Sequence, residues 1–405
     1  MAVTMDQTAF AAALKQLYKE PTIENLVYKS NPALGLIKKS EDFYGEVEKY
    51  PVLYSNPQGA SSSFSSALAN KQASSLQAFL LQRVSDYATA NIAGETIEAS
   101  RNNAGAFMSA LKTEMDGAFQ IFGLRNASAL YRSGTGTIGQ ISAGSNVGTA
   151  TITLANPADV VNFFVNQTLQ ASATDGGTPL AGTVIITNVN RATGELTASG
   201  NWSAGIGTIA AGNFLLTNGD SNLKMAGFSG WIPFSSSVSS TPFFGVDRSV
   251  DKQFLAGVFT DATGAPIEEA LIQSATEVSV NGGNPDIVLM NPLRYADLIK
   301  SMGAKVQYNK VSDPKGYFSY SSVKMHGPNG EINVVPDRNC QVDRAYMMTW
   351  DTWSMRSLNK MPHILGLDGL DFLRQGTADG YEIRVGGYFQ LKCVAPGHNG
   401  VVKLL

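Results

Sequence analysis

The stretch that decides the fold is IAGETIEASRNNAGAFMSALKTEMDGAFQIFGL, residues 92–124. Within it Ala104, Phe107, Met108, Leu111, Met115, Ala118, Phe119 and Phe122 recur every three or four positions, which puts them all on one stripe of an α-helix. Glu95, Glu98, Arg101, Lys112, Glu114 and Asp116 are mostly kept off that stripe. At 1.5 Å per residue, some 33 residues predict a rod about 50 Å long, about three times the usual globular helix. A rod of that length has to lie across other structure. Gly105, Gly117 and Gly123 let backbone approach it closely or let it bend.

N-terminal to the helix, GEVEKYPVLY (residues 45–54) alternates apolar and charged positions as a half-exposed strand does, and QAFLLQRVSDY (77–87) is its candidate partner. A tract of small residues, Ser55 to Ser75, separates the two. The pattern fits a long hairpin with a pliable tip, or a flexible surface loop on an ordinary sheet. Further upstream, Phe10, Leu14, Leu17 and Tyr18 have near-helical spacing and are followed by breaks at Pro21 and Asn31-Pro32. That segment is expected to be an arm carrying a short amphipathic helix.

C-terminal to the helix the composition changes. From Gly134 to Asp220 the charged residues are Asp159, Asp175, Arg191, Glu195 and Asp220 alone. Short β-prone runs such as TATITL, GTVIITNV and GNFLLT alternate with Gly, Asn, Asp and Ser turns, which predicts a small sandwich or barrel inserted between its flanks. From residue 221 helix and strand signals alternate. Pro266 with Glu268 and Glu269 opens a helix whose buried side is expected to be Ile267, Leu271, Ile272 and Ala275. DIVLM (286–290) reads as a buried strand, and Asn291-Pro292 starts the next helix. Strands are expected near Ile332 to Val335, Ala345 to Trp350, Tyr381 to Val394 and Val401 to Leu405, giving an α+β body.

Charge is scarce: 30 Lys and Arg against 33 Asp and Glu make 16% of 405 residues, where an ordinary soluble domain carries about 25%. A net charge of -3 without a basic block argues against phosphate-driven nucleic-acid binding and against electrostatic membrane docking. The 43% hydrophobic content excludes intrinsic disorder. No apolar run approaches the roughly 20 residues of a membrane span, and the first residues carry no secretory signal pattern. Cys340 and Cys393 form neither a disulfide framework nor a metal clip, so a reduced intracellular folding site fits.

Motifs of chemistry are weak. Gly134-Thr-Gly136-Thr-Ile-Gly139 matches the dinucleotide fingerprint in letters, but a helix leads in and β-like sequence follows, so it reads as a glycine-rich junction. His326, His363 and His398 stand apart from one another at no metal-ligand spacing. Gly227-Phe-Ser229-Gly230 lacks nucleophile-elbow spacing. Trp350 and Trp353 in MMTWDTW are a carbohydrate or partner platform or, as we favour, aromatics filling a core or a subunit contact. No catalytic residue, cofactor or metal is predicted.

The order of arm, hairpin, long helix and α+β body resembles the tailed-bacteriophage major capsid proteins of the Hong Kong 97 type. The likeness is carried by LKQLYKEPTIENLVYKSNPALGLIKKSEDFYG (14–45), YPVLYSNPQGASSSFSSALAN (50–70), PDIVLMNPLRYADL (285–298) and VVPDRNCQVDRAYMMTWDTW (334–353). It implies an N-terminal arm over residues 1–45, an extended loop over 46–91, the spine helix of a peripheral domain over 92–133, and an inserted β domain over 134–220. A mainly axial domain over 221–345 and C-terminal strands shared by both domains over 346–405 complete the expected division.

The implied function is an icosahedral head shell around double-stranded DNA, built in the host cytoplasm from hexamers and pentamers of the chain. Portal, separate scaffold and cement or decoration proteins are the further partners it implies, with weak DNA contact and no membrane. Candidate intersubunit contacts are Phe10, Leu14, Tyr18, Tyr50, Tyr54, Phe64, Phe79, Trp350 and Trp353. Depleted charge suits such a subunit, because desolvating charges in interface cores is costly. The alternatives are a tail-tube or decoration protein, or a secreted β-rich binding protein; the long helix argues against them.

Overall fold

The computed structural model describes residues 31–93, 104–302, 323–366, 373–374 and 379–405. The expected arm helix with Phe10, Leu14 and Tyr18 lies outside them. A short helix α1 (Pro32–Leu36) and strand β1 (Lys38–Ser40) lead to a hairpin of β2 (Val47–Ser55) and β3 (Ser75–Gln82), with helix α2 (Phe64–Ala69) in its tip. Strand β4 (Val84–Ala93) and the long helix α3 (Ala104–Ala129) follow. Next come β5 (Thr137–Gln140), β6 (Thr151–Thr153), β7 (Thr168–Ser172), β8 (Val184–Asn190), β9 (Glu195–Ala198), the one-turn helix α4 (Trp202–Gly205) and β10 (Phe214–Thr217). The remainder comprises α5 (Phe228–Trp231), α6 (Lys252–Ala256), β11 (Val258–Asp261), α7 (Ile267–Val280), β12 (Ile287–Met290), α8 (Pro292–Met302), β13 (Val323–Gly327), β14 (Gly330–Pro336), β15 (Arg344–Met348), β16 (Trp353–Ser357), β17 (His363–Ile364), β18 (Leu373–Arg374), β19 (Gly380–Cys393) and β20 (Gly400–Lys403).

Strand β19 is the axis of the first sheet. β4 runs antiparallel along one side of it, while β16, β17 and β18 share the other, and β1 adds in parallel outside β16. Helix α3 lies on this sheet because its apolar stripe is there to be buried: Met115, Ala118, Phe119 and Phe122 are all nearly inaccessible. Phe122 meets Phe389 of β19 edge-on at 6.3 Å. Gly387 makes room for that contact, since a Cβ there would stand 2.8 Å from Met361 and 3.4 Å from the Phe122 ring.

Two expectations need correction here. Ile92 and Ala93 belong to β4, paired with Tyr381 and Gly380, so the helix does not begin at residue 92. It spans 26 residues from Ala104, about 39 Å at the α-helical rise, and it runs on past Leu124. Residues 94–103 lie outside the described segments. The predicted partner strand 77–87 is likewise two strands: Ser75–Gln82 pairs in the hairpin, and from Val84 the chain joins β19. The break falls at Arg83, whose guanidinium donates to the Phe43 carbonyl at 2.6 Å.

A second, mixed sheet has the order β11-β20-β15-β12-β14-β13. Its core includes Val288, Met290, Val334, Ala345, Met347 and Val402, covered by Ala270, Leu271, Ala275 and Val278 of α7. Ile272, expected on the buried side of α7, is exposed, and Val278 takes its place. Sequence reading missed β11, β13 and β16. The third sheet, β5-β10-β7-β8-β9-β6, comes entirely from residues 137–217. Its ends are joined by Ser142 N–H donating to the Thr153 carbonyl (2.9 Å) and Ala155 N–H to the Gln140 carbonyl (2.8 Å). The sheet therefore closes into a small barrel around Ile152, Phe163, Leu169, Ile186, Leu196 and Trp202.

The glycine-rich motif proves to be the doorway of that barrel. Gly134 and Gly136 have φ of 95° and 86°, and a Cβ on Gly136 would stand 2.3 Å from the Asp220 carbonyl oxygen. The segments entering and leaving the barrel touch at this point, where Asn222 N–H donates to the Thr135 carbonyl at 2.9 Å.

Candidate assembly surface

The register of the hairpin assigns its two faces. Tyr50 opposite Phe79 and Glu48 opposite Leu81 point one way; Lys49 opposite Leu80, Pro51 opposite Ala78 and Leu53 opposite Leu76 point the other. The first face is the root. Tyr50 and Phe79 stack at 5.4 Å, Phe79 meets Trp231 at 5.2 Å, and both are buried. Burying two such rings is worth roughly 1.5–3 kcal/mol each. The Tyr50 hydroxyl donates to the Cys393 carbonyl at 2.7 Å, and burial pushes the phenol far above its ordinary range. Lys392 donates to Glu48 at 2.5 Å and lies 4.6 Å over the Tyr50 ring. These contacts fix the direction in which the hairpin leaves the body.

The opposite face has no such cover. Val47, Leu53, Leu76 and Leu80 are exposed large apolar side chains, and the turn at Phe244 and Gly245 only partly shields Leu80. Beyond them α2 presents Phe64, 84% exposed, and Leu68. An apolar stripe along a hairpin, broken in the described strands by Lys49 and Gln82, is the mark of a surface made for another chain.

Of the sequence-predicted contact residues, Phe64 is fully outward and Tyr54 half-buried against the root. Tyr50, Phe79, Trp350 and Trp353 lie in the core of the chain itself, whereas sequence reading expects them at intersubunit contacts. Phe228 packs against Trp353 at 4.9 Å and Trp350 at 6.3 Å. Trp353 Nε1 donates to Asn399 at 2.8 Å and Trp350 Nε1 to the Leu36 carbonyl at 3.0 Å. The tryptophans thus bind α1, β16 and the loop before β20 together, and a carbohydrate platform there is overturned. Beside them Tyr346, its hydroxyl 2.6 Å from that of Ser229, has its phenol pushed up to about 12 by burial. The exposed leucines of β2 and β3 were missed. Their signal was present as apolar residues on both faces of one strand, Leu76 and Leu80 alternating with Phe79 and Leu81.

A charge knot joins the hairpin's exit strand, the long helix and the barrel. Arg125 of α3 reaches Asp220 at 2.8 Å and Asp86 of β4 at 3.2 Å. Lys224 reaches Asp86 at 2.7 Å and Asp220 at 3.3 Å. Asp86 is nearly inaccessible and also accepts from Asn126 at 3.2 Å. Two cations on two carboxylates leave each buried charge compensated. Among the described residues no group of three His, Cys, Asp or Glu side chains is placed to hold a metal, and no helix is long and apolar enough to cross a membrane.

Comparison with known proteins relates this architecture to phage capsids. Residues 203–383 match the profile of the SU10 major capsid protein family. A chain of the cyanophage A-1(L) capsid asymmetric unit superposes with a TM-score of 0.53 at 11% identity, covering 92% of each chain. The chain has the Hong Kong 97-type fold of phage major capsid proteins. The fold rests on that superposition. Lower similarity is found to the capsid of a native GTA particle (TM-score 0.46, 8% identity, 92% of this chain and 89% of that one). Mycobacterium phage Ogopogo gives a TM-score of 0.43 at 9% identity over 93% of each chain. No curated protein matches this capsid protein by sequence. As a shell-forming head protein, it works through its surfaces.

Proposed function

We propose that the chain builds an icosahedral head around double-stranded DNA from hexamers and pentamers, with the β2–β3 hairpin of each copy laid over its neighbour. In this reading residues 1–45 are the arm, 46–91 the extended loop, 92–133 the spine segment, 134–220 an inserted module, 221–345 mainly the axial domain, and 346–405 the shared strands. The observation that carries it is the hairpin's outer face, where Leu53, Leu76, Phe64 and Leu68 are exposed on an arm whose root is rigidly fixed. Leaving that stripe in water is unfavourable by roughly 25 cal/mol for each Å² of apolar surface, so covering it drives association. Low overall charge removes the desolvation cost of wide contacts, and mild acidity keeps the lining from gripping phosphates. Portal, a separate scaffold and cement or decoration proteins are the partners such a head takes besides itself.

Electron microscopy of the purified or coexpressed chain tests the proposal. Closed isometric particles or capsomer rings are the expected result. Stacked tubes, or a stable monomer at high concentration, overturn it.

A further inference from the structure

We propose that Tyr44, bracketed by Glu41 and Glu46, docks into the groove between α3 and the barrel of a second copy, with Arg338 at the rim of that groove receiving the carboxylates. The inference deepens the shell reading above and rests on it.

The loop between β1 and β2 is held still. Phe43 is buried, its N–H donates to the Ser357 carbonyl at 3.1 Å, and its own carbonyl accepts from Arg83 at 2.6 Å. Asp42 is ion-paired with Arg356. On this fixed base Tyr44 points outward with 77% of its surface exposed, and neither Glu41 nor Glu46 has a cationic partner among the described residues. An exposed tyrosine on a preorganised loop is the kind of group that anchors interfaces, because little freedom is lost when it binds. The other exposed aromatics differ. Tyr87 is engaged edge-on with Tyr388, the helix that carries Phe64 has no charged residue, and Phe254 sits two positions from Lys252.

The complementary feature is a cavity of about 260 Å³ with a floor that includes Ile121, Leu124, Ile138, Phe164 and Val165. Ile121 and Val165 are exposed within it. Four cations line it, and three are already matched: Arg125 and Lys224 by Asp86 and Asp220, and Arg132 by Asp159 at 2.7 Å. Arg338 is exposed and has no carboxylate partner among the described residues. An apolar slot with one unmatched cation fits an aromatic ring carrying flanking carboxylates. Loop and groove are different patches, so the contact is head-to-tail and propagates around a ring of copies.

The test pairs Tyr44→Cys with Val165→Cys in the full chain. Oxidised shells of this variant are expected to run as a ladder of cross-linked copies on non-reducing gels, and either single variant as monomer; Cys340 and Cys393 are buried and stay silent. Tyr44→Ala is expected to raise the subunit concentration needed for assembly about tenfold with the circular dichroism of the subunit unchanged. Glu46→Arg should weaken assembly, and adding Arg338→Glu should restore it. Normal shells from Tyr44→Ala together with no ladder from the double-cysteine shells overturn this contact and leave the shell reading intact. Absence of shells from the unsubstituted chain overturns the shell reading itself, and this contact with it.

Discussion

The hairpin and the barrel are both β structures poor in charge, yet they treat their apolar side chains in opposite ways. The barrel turns Ile152, Phe163, Leu169, Leu196 and Trp202 inward and joins its edges, so it is complete within one chain. The hairpin commits one face to its own body through Tyr50 and Phe79 and leaves the other, with Leu53 and Leu76, uncovered. A β segment with one closed apolar side is a folding unit; one with two apolar sides and a single cover is half of a contact.

Removing residues 56–74, the tip with Phe64 and Leu68, is the severest challenge to this contrast. The subunit is expected to keep its circular dichroism and lose assembly, read by sedimentation; unimpaired shells would show that the open face has no role. Trp202→Ala attacks the closed unit instead. Its side chain is fully buried and donates Nε1 to the Ala150 carbonyl at 2.9 Å, so the barrel should lose about 3–5 kcal/mol and melt before the rest in calorimetry. Loss of the whole subunit in one transition would mean that the barrel is not separate. At the junction, Asp86→Ala leaves Arg125 and Lys224 sharing one carboxylate, for an expected loss of about 3 kcal/mol. Denaturant unfolding reads that loss, and Lys224→Met in the same background should recover part of it.

The smallest effect is expected at the hairpin's root loop. Hydrogen bonding from the Arg356 guanidinium holds the Asp42 carboxyl below its ordinary range. A carboxyl lowered on folding contributes stability above the ordinary carboxylate pKa, and that contribution fades as pH falls through the lowered value. Asp42→Asn should therefore flatten the acid limb of the stability profile slightly and leave the neutral plateau almost unchanged, checked by thermal melts across the acid range. The pair is solvent-screened, so a large change at neutral pH would assign Asp42 a different role.

Elements with a strong local period were legible in sequence. The stripe through Met115, Phe119 and Phe122, the alternation around Tyr50 and the low-charge barrel run each follow from a pattern a few residues long. The helix start was not legible. Residues 84–93 pair with β19, almost 300 positions away in the chain, and that pairing overrides any local preference. The same reason hid the knot, because Asp86, Arg125 and the Asp220–Lys224 pair become neighbours only when the fold brings them together. The large rings Tyr50, Phe79, Trp350 and Trp353 read in sequence as interface candidates, and the structure packs them in the chain's own core, because aromatics of that size are also what a core needs.

The touching segments at Gly136 and Asp220 make the barrel a pendant on a closed clasp. Whatever hangs there adds no gap for the main body to bridge, so the body's geometry is indifferent to the pendant's size. A domain whose two ends lie side by side is what such a clasp can hold.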